Sequence, residues 1–149
     1  MMESRINSNI VLKLKSQDGG PESLGAILDL VEPLTGNLGW SIQHLDMIGS
    51  IYGVPSIPDF QKQIVESTKG HVCGMKELRA LQTGAEQIIE IFVVGAPASL
   101  EFRRFKSYAG AYEYYPVVLD RDDDGLWRIA CQSRDLAAAI ESKLGASRG

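Results

Sequence analysis

The sequence predicts an α+β domain: a largely antiparallel sheet of about five strands with helices packed mainly on one face. Three observations carry this. Apolar residues alternate over Asn9–Lys15, and Glu86–Val94 is apolar on both sides and rich in β-branched residues. Leu24, Ile27, Leu28 and Val31 repeat at helical spacing. The later strands are joined by connections too short for crossover helices, so they must run antiparallel.

The elements follow in order. In Asn9–Lys15, Ile10, Leu12 and Leu14 share one side of a strand, with Val11, Lys13 and Lys15 on the other. Asp18-Gly19-Gly20 makes a turn, and Pro21 suits the first helical position. Pro33 should end or kink this first helix, and Thr35-Gly36-Asn37 closes it. Gly39–Ile48 reads as a second strand, and Gly49–Asp59, with two Gly and two Pro, as a loop. Phe60–Ser67 and the Met75, Leu78, Leu81 series are two short helices, the second stopped by Gly84. Glu86–Val94 is the central strand, and Gly95–Ser99 a turn. Leu100–Tyr108 fits either a strand or a helix and is read as a strand, and Tyr112–Leu119 as another, pushed to an edge or a bulge by Pro116. Asp120–Gly125 is a hairpin connection to the returning strand Leu126–Cys131. Ser133 caps a last helix that buries Leu136, Ile140 and Leu144 and ends at Gly145.

At 149 residues the chain fits one domain, 1–149, with 1–8 and 146–149 as loose ends. No apolar run reaches the roughly 20 residues of a membrane span. The first nine residues lack the apolar stretch of a signal peptide, so a cytoplasmic protein with its two cysteines reduced is expected. The net charge of −4 argues against a nucleic-acid surface.

The candidate chemistry is sparse. Asp120-x-Asp122-x-Asp124-Gly125 matches the start of a calcium loop, but Cys131 stands where a bidentate Glu is needed, so a solvated acidic hairpin tip is expected. A zinc site would need His44, His71, Cys73 and Cys131 all together, and no C-x-x-C pair supports it. No metal, cofactor or catalytic residue is therefore assigned, and no nucleophile elbow, P-loop, zincin or dinucleotide motif is present. Tyr108, Tyr112, Tyr114 and Tyr115 lie beside Arg103, Arg104 and Lys106; this mixture can stack on single-stranded nucleic acid, form an interface or serve packing.

Charge is unevenly placed. Ser16–Gln61 holds no Lys or Arg but six acids: Asp18, Glu22, Asp29, Glu32, Asp46 and Asp59. Glu22, Asp29 and Glu32 fall on the solvent stripe of the first helix. A single-signed stripe attracts a cationic partner and speeds its association. The expected partner-binding residues are Glu22, Asp29, Glu32, Asp46, Asp59, Asp122 and Asp123.

The C-terminal run Gly125-Leu126-Trp127-Arg128-Ile129, followed by Ser133-Arg134-Asp135-Leu136, is a W-x-I strand leading into a capped helix, and Trp40-Ser41-Ile42 is a similar strand start. In this, in size and in acidity, the chain resembles the small α+β immunity proteins that bacteria make against polymorphic and contact-dependent toxins. The resemblance implies a non-enzymatic inhibitor, a monomer or weak homodimer, that binds a cognate, basic, nuclease-like toxin domain and touches neither nucleic acid nor membrane. The alternative is a small-molecule or small enzymatic domain with a pocket near Trp40, His44 and Tyr52.

Overall fold

The computed structural model describes residues 9–16 and 19–148. The chain runs β1 (Ile10–Lys15), α1 (Pro21–Thr35), β2 (Gly39–Gly49), α2 (Ile57–Glu66), β3 (His71–Cys73), α3 (Met75–Gly84), β4 (Ala85–Ala96), α4 (Tyr108–Tyr114), β5 (Val117–Arg121), β6 (Leu126–Cys131), α5 (Arg134–Leu144) and β7 (Ser147–Arg148). The strands form one sheet in the order β3-β2-β4-β5-β6-β1-β7, and every neighbouring pair is antiparallel. The α+β class holds, with seven strands rather than five. No described helix is long and apolar enough to cross a membrane.

The pleat sends alternate side chains to two separate cores. On the inner face, Leu12, Trp40, Ile42, Ile91, Leu119, Trp127 and Ile129 pack against Leu24, Ile27, Leu28 and Val31 of α1, Leu78 and Leu81 of α3, and Leu136 and Ile140 of α5. Phe60 and Ile64 of α2 join the same core. Each such side chain contributes roughly 1.5–3 kcal/mol, so this layer holds the fold together. On the outer face, Phe92, Val94, Val118 and Ala130 are covered by Ala111 and Tyr115 at the end of α4. Four of the five helices thus serve the inner core, while α4 alone covers part of the other side.

Several local expectations change. Pro33 neither ends nor replaces the last turn of α1, which continues to Thr35. A proline there forgoes only its bond to the Asp29 carbonyl, and Thr35 Oγ1 donates to the Val31 carbonyl at 2.8 Å to hold the final turn. The expected turn at Gly95 is still strand, because Gly95 pairs with Trp40 on one side and Val117 on the other, and its missing Cβ leaves room for the Trp40 ring. Residues 101–107 are irregular, not a strand, and 108–114 is helix where a strand was expected to begin at Tyr112. Pro116 therefore precedes β5 and does not mark an edge. β5 lies in the middle of the sheet, and the Pro116 carbonyl accepts the Gln132 amide at 3.1 Å. Ser147–Arg148 adds two residues of pairing to β1; residues 1–8, also expected to be loose, lie outside the described residues.

Where β2 ends, the chain passes close to the end of α3. A Cβ on Gly84 would overlap the Ser50 carbonyl, and the Ser50 amide donates to the Gly84 carbonyl at 3.0 Å. The glycine that stops α3 is needed for this backbone approach.

Candidate functional site on the outer face of the sheet

α4 leaves one end of the outer face open. Strand register determines what shows there. His44 pairs with Phe92, Phe92 with Asp120, Asp120 with Arg128 and Arg128 with Lys13. In the adjacent row Asp46 pairs with Glu90. Paired residues of antiparallel strands point the same way, and Phe92 belongs to the outer cluster. His44, Asp46, Glu90, Asp120, Arg128 and Lys13 therefore share this face.

Their contacts form a chain of polar pairs. His44 Nε2 lies 2.9 Å from Glu90 Oε1. The Tyr112 hydroxyl donates to Asp120 Oδ2 at 2.7 Å. Arg128 Nη1 donates to Asp122 Oδ2 at 3.0 Å. Tyr108 stacks on Phe92 with ring centroids 4.0 Å apart. Asp120 is only 7% exposed. Burial pushes its carboxyl above the usual range; Tyr112 and Arg128 pull it back, while Asp122 and Glu90 push it further up. The Tyr112 hydroxyl is raised by burial and by its bond to Asp120. Asp122 goes the other way: its slight burial is outweighed by the Leu126 and Asp124 amides and by Arg128, so its pKa is lowered.

The raised pKa of Asp120 makes a stability prediction. Its burial favours the neutral carboxyl, so the contribution to folding is full below the unfolded value near 3.8 and is lost as pH rises through the higher folded value. Asp120→Asn keeps the steric shape and stays neutral. Denaturant titrations should show the variant gaining stability relative to the native chain between acidic and neutral pH. A native chain that gains over the variant across that interval would contradict the burial argument.

The expected partner residues are divided among separate regions. Asp46 and Asp122 come together on the outer face with Glu90 and Asp120, and Asp123 and Asp124 extend from the same hairpin tip. Asp59 lies apart, in the first turn of α2. Glu22, Asp29 and Glu32 are exposed on α1, but the stripe is not single-signed. Arg79 of α3 reaches across it, 2.9 Å from Asp29 and 3.0 Å from Glu32. Helix packing has brought a later cation to a segment that holds none of its own. Asp18 lies outside the described residues.

Glu90 and Asp120 were missed as partner residues because a lone acid inside an apolar strand carries no periodic signal. Their one visible sign was parity, since each breaks the apolar run on the same side as Phe92 and Val118, respectively.

The calcium-loop pattern does not converge. Asp120 is turned onto the sheet toward Tyr112. Among the described residues the carboxylates within 4.8 Å of one another are those of Asp122, Asp123 and Asp124. Asp122 Oδ1 already accepts the Asp124 and Leu126 amides at 3.0 and 3.1 Å, which is the bonding of a self-sufficient turn.

Compared with known proteins, the chain matches no family model, no curated protein and no solved structure. Function has to be read from the geometry.

Neither cysteine is set up as a nucleophile. Cys73 and Cys131 are free and buried. Burial, followed by the Glu77 charge, pushes the Cys73 thiol up to about 12, and burial pushes Cys131 to about 11, so neither thiolate is populated at neutral pH. The recorded partners of His44 and His71 are Glu90 and Glu77. Most of the basic and aromatic cluster serves packing, with Tyr108 half-exposed. Arg104 donates to three backbone carbonyls, at Gln43, Ile64 and Ser67. Arg103 lies over Phe105 at 4.8 Å, and the Tyr115 hydroxyl donates to the Arg103 carbonyl at 2.7 Å. The pocket expected near Trp40, His44 and Tyr52 is not formed by those three. Trp40 is buried in the inner core, His44 faces outward, and Tyr52 stands on a distant loop at 96% exposure. The bulge between Ile42 and His44 resets the alternation, so His44 faces away from Trp40 and Ile42.

Proposed function

We propose that this chain is a cytoplasmic, non-enzymatic binding protein, an immunity-type inhibitor that docks a cognate basic toxin domain on the outer end of its sheet. The carrying observation is the convergence of Asp46, Glu90 and Asp122 from separate strand and turn positions onto one face, with Asp123 and Asp124 beside them and Asp120 buried against Tyr112. Arg128 pairs with Asp122, His44 lies on Glu90, and Lys13 and Lys15 share the face, so the acids beyond these pairs are Asp46, Asp123 and Asp124. An acidic face of this kind presents a phosphate-like field to a cleft built for nucleic acid, and it speeds encounter with such a partner. Tyr108, half-exposed on Phe92, supplies an aromatic contact at the margin. The α1 stripe is the weaker candidate, because Arg79 pairs with two of its three acids, Asp29 and Glu32, whereas the outer face keeps Asp46, Asp123 and Asp124 outside its ion pairs.

This reading expects a toxin domain encoded beside the gene for this chain. Expression of that domain alone should arrest growth, and co-expression with this chain should restore it. Asp46→Lys with Asp122→Lys should weaken binding of the purified pair by roughly 10- to 100-fold. Asp29→Lys with Glu32→Lys should matter less. Binding should also weaken as salt rises. Growth arrest that this chain does not relieve would reject the inhibitor reading. Relief and affinity unchanged in the Asp46/Asp122 double variant would reject the outer face as the contact.

A further inference from the structure

A concavity lies on the other side of the sheet, away from the acidic face. It is a pocket of about 300 Å³ between α2 and α3, bordered by the loop that follows β2. Its walls are apolar: Ile42, Ile51, Phe60 and Leu81 are all buried core residues. Its polar groups are His71 and Glu77, with Tyr52 on its rim.

Three features separate this pocket from a packing gap. The first is size. At about 300 Å³ it has room for one ring, since a cavity of roughly 150 Å³ already accepts benzene. The second is a fixed charge. Glu77 Oε1 accepts the Gly74 amide at 3.0 Å as part of the cap of α3, which anchors the carboxylate. Its Oε2 lies 3.7 Å from His71 Nε2, and its side chain is more than half exposed. The third is Tyr52. It sits in a turn closed by the Val54 amide on the Ile51 carbonyl at 2.9 Å, with Gly53 at φ +85°. The turn holds the ring in solvent at the edge of an apolar hollow. Phe60 meets the His71 ring edge-on at 4.8 Å, so the far wall is aromatic as well.

From this geometry we infer that the pocket is a binding site for a small aromatic amine: a single flat ring on the Ile42–Phe60–Leu81 floor, with an ammonium group directed to Glu77 and faced by Tyr52. A carboxylate at one end and aromatic rings around it favour a cation over an anion of the same shape. Asp59 borders the adjoining hollow on the α2 side. Lys76 and Arg79 border the hollow beyond Tyr52, and Arg79 is held by Asp29 and Glu32. The site is independent of the acidic outer face.

Phenethylamine and phenylacetate share a ring and carry opposite charges. Titrated into the full chain and followed by amide and methyl NMR shifts, phenethylamine should saturate below about 10 mM. Its shifts should be confined to residues around Ile51, Phe60 and Leu81. Phenylacetate should bind at least about 10-fold more weakly. Glu77→Gln retains an acceptor for the Gly74 amide and should erase that preference. Ala80→Phe, which fills the pocket from α3, should abolish binding of both. If Ala80→Phe does not fold, the Glu77→Gln comparison decides. No saturation, equal affinity for the two probes in the native chain, or a preference surviving in Glu77→Gln would each overturn the assignment.

Discussion

Trp127→Ala should lower the stability of the domain by about 3–5 kcal/mol and its Tm by roughly 10 °C or more. Trp127 has no exposed surface and lies in the inner core, paired with Leu14 on one side and Arg121 on the other. Its Nε1 donates to Ser23 Oγ in the first turn of α1 at 2.8 Å, and Ser23 Oγ in turn reaches the Gly20 carbonyl at 3.0 Å. The indole thus both fills the core and fixes where α1 begins. Alanine would leave a cavity at the junction of α1 and β6 that neither element can close without moving. Trp127→Phe keeps most of the volume and loses the hydrogen bond, so its cost should be nearer about 1–2 kcal/mol. Thermal denaturation of the three proteins, followed by circular dichroism, separates the two terms. A Tm change of only a degree or two in Trp127→Ala would mean that the residue is not part of the cooperative core. Trp40, also buried, remains as a fluorescence reporter in each variant.

The same residues show how far the sequence could be read. β1, α1 and α5 emerge because each repeats one period over several turns or pleats, β4 because it is a long β-branched run, and β6 because a hairpin turn precedes it. β3 has three residues and β7 two, too few for any period, and both exist only because a longer strand offers them an edge. The segment from Leu100 to Tyr115 misleads for another reason. Its aromatic residues favour strands in general, yet Ala111 and Tyr115, four apart, are what cover the outer face over Phe92 and Val94. Tyr108, Tyr112 and Tyr115 follow helical spacing, and that was the available signal. The need to cover a sheet face is not visible until the sheet is known.

The candidate site divides in the same way. Asp122 and Asp123 could be located from the hairpin alone, since an Asp-rich turn ending in Gly must reach solvent. The outer cluster could not, because Asp46, Glu90 and Asp120 are separated by 44 and 30 residues and meet only through register. Linear charge segregation gave the wrong weight to α1 because it ignored α3. Arg79 lies 47 residues beyond Glu32 in sequence and 3.0 Å from it in the fold.

Arg104→Ala should cost about 2–4 kcal/mol and should also weaken the proposed docking face. β3 pairs with β2 only at Trp40, Ser41 and Ile42. Beyond that point the edge of β2 would stand open, as an unpaired strand edge that invites association with other chains. Two side chains close it. Gln61 Oε1 accepts the Met47 amide at 2.9 Å, and Arg104 Nη1 donates to the Gln43 carbonyl at 2.8 Å. Arg104 also bonds the Ile64 and Ser67 carbonyls at the end of α2, the Ser67 bond measuring 2.7 Å, so one guanidinium ties the helix to the strand. Gln43 occupies the bulge that sets the facing of His44 and Asp46. Loss of Arg104 should therefore loosen the register on which the acidic cluster depends. Hydrogen exchange should rise at 43–47 and 61–67 ahead of the rest of the domain. Arg104→Lys should not rescue it, because a single ammonium cannot reach three carbonyls arranged for a planar fork. Protection unchanged at those residues in Arg104→Ala, with a Tm near that of the native chain, would show that Gln61 alone secures the edge.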